Sequence, residues 1–115
     1  MIVRFPSAEV IATVARTYAD RVRGLIGAPG LPEGQGMLFD MGGMSAWMMT
    51  MRGVTFPLDM IFIDDESSVI GIVAMAAPGS PGPYGIRAPS RYVLEVPGGW
   101  AARHHVRPGD RVTFA

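Results

Sequence analysis

The apolar positions of this chain fall into short runs broken repeatedly by glycine and proline, with few stretches long enough for three helical turns. That pattern predicts strands more often than helices. Residues 2–5 and 9–15 are rich in β-branched side chains and flank a Pro6-Ser7 turn. Thr17 then stands where an N-cap belongs, with Asp20 at the acidic position of a capping box, so a helix is expected over residues 18–26. Val22, Leu25 and Ile26 share one face of it at helical spacing. Residues 27–34, with Pro29, Gly30 and Pro32, are expected to form a loop.

Residues 37–39 and 47–51 read as strands around a Gly42-Gly43 turn, and residues 57–63 give the clearest strand signal. There Leu58, Met60 and Phe62 point one way and Asp59, Ile61 and Ile63 the other, so the strand is expected to be covered on both faces. Residues 69–75 follow a polar turn as the second arm of a hairpin. Residues 78–89 carry four prolines and three glycines and predict an extended surface loop. Residues 91–96 form the next strand, 98–105 a short helix, 107–110 a turn, and 111–114 a final strand. The expected fold is one β-dominated α+β domain over residues 1–115, with about seven short strands in a strongly curved or barrel-like sheet and two short helices.

Composition narrows the function classes. Ten acids balance ten bases, and no basic run is present, so nucleic acid is not an expected partner. Every base is an arginine, and there is no cysteine, which removes disulfides, thiolate metal sites and cysteine nucleophiles. No apolar segment reaches the length of a membrane span. The first residues do not resemble a signal peptide, so a cytoplasmic location is expected unless a leader or anchor has been trimmed.

Two acids lie inside apolar strands, Asp59 and Glu95, where a carboxylate is costly unless something pairs with it. Arginines 23, 52, 87 and 91 are available as partners, and a guanidinium fork suits a buried acid. Alternation along residues 91–96 leaves open whether Glu95 is exposed. Eight of nine methionines fall between Met37 and Met75; thioethers can select copper(I), but methionine more commonly fills cores and adaptable pockets. His104 and His105 diverge as neighbours and suit a helix C-terminus better than a metal. No metal or cofactor is expected, and no catalytic residue is assigned.

Arg23-Gly24-Leu25, Gly36-Met37-Leu38-Phe39, Pro57-Leu58-Asp59, Phe62-Ile63-Asp64, Tyr92-Val93-Leu94-Glu95, Gly99 and Gly109-Asp110 occur in an order and spacing that resembles the bacterial and archaeal family called domain of unknown function 192. The resemblance spans nearly the whole chain and implies a small β-rich domain with short helices; it brings no established activity, substrate or cofactor. In that family a Trp-Met-Lys-Asn-Thr segment precedes Pro-Leu-Asp at a fixed distance, which here matches Thr50, Met51, Arg52, Gly53 and Val54. The tryptophan, asparagine and threonine are replaced, and Trp47 lies three residues earlier.

These residues lead to an expectation of a non-catalytic domain that binds a small ligand or a partner segment in a groove near the Pro57-Leu58-Asp59 strand. Asp59, Glu95, Arg23, Arg91, Trp47 and Met51 are the candidate contacts. Arg23 or Arg91 would orient a carboxylate or similar group, Asp59 would hold that arginine in place, and residues 78–89 would form part of the rim. A small hydrolase or lyase using Asp59 and Glu95 as acid and base is the alternative, and an accessory protein docking through a Met/Trp surface is a third.

Overall fold

The computed structural model describes residues 1–115. Its chain order is β1 (Ile2–Phe5), β2 (Ala8–Ala15), α1 (Tyr18–Arg23), β3 (Gln35–Ser45), β4 (Leu58–Ile63), β5 (Val69–Ala76), β6 (Ser90–Pro97), α2 (Trp100–Arg103) and β7 (Thr113–Phe114). All seven strands join one sheet in the order β5-β4-β6-β3-β2-β1-β7, the β-dominated architecture expected, curled into a half-barrel. Only β2 and β3 run parallel. The crossover that a parallel pair requires is made by α1 and the loop after it, which sets α1 against one face of the sheet.

The sheet curls far enough for its two ends to meet. Val69 donates its N–H to Asp110, Gly109 to Val69 and Val112 to Ser67, so the start of β5 is tied to the segment leading into β7. At the start of β5, backbone groups that an open sheet would leave at its edge are thereby paired.

Curling gives the sheet two apolar faces. On one, Val3, Val10, Leu38, Ile61, Ile63, Leu94 and Val96 pack with Trp100 of α2. On the other, Phe39, Leu58, Met60, Phe62 and Val93 pack with Leu25, Met51 and Val54. Every residue of β4 is buried, and its alternate side chains enter the two clusters as the sequence pattern predicts.

Two expected elements are shorter, the helix over 98–105 reduced to Trp100–Arg103 and the strand over 111–114 to Thr113–Phe114, and two differ in kind or course. Residues 47–51 are not a strand: β3 continues through Gly42-Gly43 to Ser45 with a register shift against β6 between Asp40 and Ser45, and the following segment is held by local bonds instead. Met49 pairs with Tyr84 and the N–H of Met51 reaches the carbonyl of Ser80, so residues 78–89 back this segment. Helix α1 starts as expected, with the Thr17 hydroxyl accepting from the Asp20 N–H at 3.1 Å, but it ends at Arg23. Gly24 takes φ +47°, and a Cβ there would stand 3.2 Å from the Phe39 ring, so the chain turns out of the helix directly above Phe39. The shared apolar face is broken as a result: Leu25 is buried, whereas Val22 and Ile26 remain exposed.

Candidate functional site

Between α1 and residues 47–54 lies a cavity of about 350 Å³. Its walls are Val22, Leu25 and Ile26 on one side, Trp47, Met48 and Met49 on the other, with Phe39 and Glu95 from the sheet beneath. The Trp47 indole is fixed by its own hydrogen bond, Nε1 donating to the Gly43 carbonyl at 3.0 Å. Gly53, in the segment opposite α1, takes φ +76°, and a Cβ there would lie 2.9 Å from Cγ2 of Ile26. Glycine at this position therefore lets the segment close against the end of α1.

Glu95 is the polar feature of the cavity. It lies on β6, between β3 and β4, directly opposite Met37 and Met60 in the ladders. That placement settles its orientation: it faces the methionine side of the sheet, is only 3% exposed, and its side chain makes no hydrogen bond or ion pair within the protein. Burial pushes its carboxyl up to about 8, so at neutral pH it is mostly a neutral acid that can both donate and accept.

Asp59 is equally buried but sits on the other face. Its Oδ1 accepts from the N–H groups of Met75 and Gly99 and its Oδ2 from that of Ala101, each at 2.9 Å. The expectation that an arginine holds Asp59 is corrected by these bonds: three backbone donors, two of them at the start of α2, already occupy the carboxylate. Met75, held at φ +55°, is the residue whose N–H this arrangement turns toward Asp59. Because Asp59 and Glu95 point to opposite faces of one sheet, the two carboxylates share no cleft, and a substrate has no position between them.

The remaining candidates divide. Arg23 and Trp47 line the cavity with Glu95; Asp59, Arg91 and Met51 do not. Arg23 is bound to Asp20 at 2.7 Å, Arg91 reaches Asp40 at 3.4 Å and lies over the Tyr92 ring, and Met51 is packed in the core. Residues 78–89 support the 47–54 segment from outside rather than forming the rim. Sequence reasoning overlooked Arg21 and, as a cavity residue, Arg52. Arg21 donates to the carbonyls of Arg16 and Asp40, while the Arg52 side chain has no partner in the protein. The signal that could have found Arg52 is its place on the family segment, where it stands with Thr50 and Val54 at alternate positions, all three lining the cavity.

The match to a family decides what kind of protein carries this arrangement. The DUF192 pattern, described as Uncharacterized ACR, matches residues 2–114. The chain belongs to the DUF192 family. No curated protein matches it. Two crystal structures are similar to it. A protein of unknown function from Novosphingobium aromaticivorans is 32% identical with a TM-score of 0.92, the match covering 98% of this chain and 84% of that one. A Sinorhizobium meliloti protein described as a candidate transcription regulator is 33% identical with a TM-score of 0.93, covering 97% and 91%.

Membership sharpens the meaning of the replaced motif. Gly53 stands where the resemblance implies an asparagine, and its positive φ is a conformation that asparagine and glycine both adopt readily. Trp47 supplies an indole to the same cavity from three residues before the position of the family tryptophan, which here is Thr50.

Proposed function

We propose that this DUF192 domain is a non-catalytic binder of a small molecule, which it holds in the cavity between α1 and residues 47–54. The observation that carries this reading is Glu95: a carboxyl only 3% exposed, with no protein partner, open to a mostly apolar chamber with arginines in its lining. Its oxygens are not sealed from the chamber, since the sealed side-chain polar atom without a partner is Ser90 Oγ, so whatever enters the chamber, water or a ligand, is what meets them. Val22 on α1 and Ile26 just after it support the same reading, since both side chains are exposed and leave this apolar wall uncovered. Tyr18 and Met48, exposed apolar residues of the lining, would suit a partner segment lying across the mouth.

The description of the Sinorhizobium protein as a candidate transcription regulator is not extended to this chain, whose acids and bases balance at ten each and which has no basic run in its sequence. Thr50 is exposed and lines the mouth, so Thr50→Trp should fill the entrance and leave the core alone. In a thermal-shift screen of small amphiphiles, compounds that raise the melting temperature of the wild type should fail to do so for Thr50→Trp. The reading is lost if no compound stabilises the wild type, or if the same compounds stabilise both proteins equally.

A further inference from the structure

The charges of the cavity differ in depth. Glu95 lies on a central strand at the floor, 3% exposed, and the apolar side chains of Phe39, Met49 and Leu25 stand above it. Arg52 is exposed, with no carboxylate or carbonyl of the protein bound to its guanidinium. The other two arginines of the lining are engaged, Arg21 by the carbonyls of Arg16 and Asp40 and Arg23 by Asp20. The deep group thus lacks a hydrogen-bond donor and the exposed one lacks an anion.

We propose that the ligand is a bipolar amphiphile of the ω-amino acid type, with its ammonium on Glu95, its apolar middle against the methionine and aromatic walls, and its carboxylate at Arg52. This rests on the small-molecule reading above and gives it a chemical class. A plain cation would have to pass the mouth arginines without compensation, and a plain anion would be met by Glu95 only in its protonated form and repelled once that carboxyl ionises. A ligand carrying both charges at opposite ends meets both requirements. The ammonium pairs with the ionised form of Glu95, so binding releases a proton wherever the free carboxyl is protonated. Tyr18, Arg21 and Arg23 from α1 and Arg52 from the facing segment are the other titratable or charged groups lining the cavity, whereas β3 and β4 present Met37 and Met60 opposite Glu95.

The test is calorimetric titration of the intact domain with ω-amino acids from aminobutanoate to aminooctanoate, beside hexylamine, hexanoate and hexanol. One chain length should bind at least about tenfold more tightly than the three singly functional compounds, since each end adds a charge-assisted bond. Its affinity should rise about tenfold from pH 7 to pH 9, as the carboxyl that titrates at about 8 ionises. Glu95→Gln should abolish the pH dependence and the preference over hexanoate, and Arg52→Gln should abolish the preference over hexylamine. If hexanol or hexanoate binds as tightly as every amino acid and Thr50→Trp blocks it, the cavity holds small molecules but the bipolar class is wrong. If none of the compounds binds at millimolar concentration, both proposals fall.

Discussion

Asp59 and Glu95 occupy neighbouring strands of one sheet, and each is almost wholly buried, at 1% and 3% exposure. They differ in what surrounds the carboxylate. Asp59 faces the start of α2 and the end of β5, which together bring it three N–H donors. Glu95 faces methionines and an open cavity, and no donor of the protein bonds to it. The comparison teaches that burial alone does not mark a functional acid. A carboxylate whose lone pairs are occupied by backbone is a structural cap, whereas one left unsatisfied beside a chamber is available to chemistry from outside the protein.

The largest effect should come from removing the saturated acid. Asp59→Ala strands three N–H groups in the interior at roughly 1–3 kcal/mol each, so a loss on the order of 5 kcal/mol is expected. That corresponds to a melting temperature lower by on the order of 20 °C in thermal denaturation followed by circular dichroism. Asp59→Asn keeps one acceptor oxygen and should lose about half as much. A drop of only a few degrees for the alanine variant would show that these bonds do not hold α2 to β5.

Removing the unsatisfied acid should have the opposite sign. Glu95 keeps its proton up to about pH 8 when folded, against an ordinary value of 4.5, so between those values the folded chain binds more protons than the unfolded one. Stability therefore falls as pH rises through that window and levels off above it. Glu95→Gln has no such slope and should be more stable than the wild type by about 3 kcal/mol at pH 7, the advantage vanishing near pH 4.5. Urea titrations at several pH values measure this directly, and parallel curves for the two proteins would contradict it. The smallest effect belongs to the surface: Arg23→Gln removes an exposed pair with Asp20 and should change stability by less than about 1 kcal/mol in the same titration.

Much of the frame was legible in the sequence because it depends on local chemistry. The Thr17 cap, the two-sided burial of β4 and its hairpin with β5 follow from residues close together in the chain. The site was less legible because its features are set by distant backbone. Nothing in the pattern around Asp59 indicates that Gly99 and Ala101 will aim their N–H groups at it from across the sheet. Residues 47–51 have the composition of a strand, but β3 continues past Gly42-Gly43 to pair Ser45 with Ser90, and Met49 and Met51 bond the 78–89 loop instead. Glu95 was ambiguous by alternation along its own strand, since both faces of β6 are covered and alternation separates exposed from buried only where one face meets water.

The backbones of Ile2 and Ala115 exchange two hydrogen bonds, each 2.9 Å long, beside the β1–β7 pairing. The first and last strands are thus neighbours, and the order in which the strands are written along the chain is separable from the order in which they stand in space. A short linker joining the two ends, with a cut within residues 78–89, would yield a circular permutant whose seven strands keep every partner. In such a chain the segment that backs the cavity would become a pair of free ends, so access to Glu95 could be tuned by topology with no change to any residue that lines it.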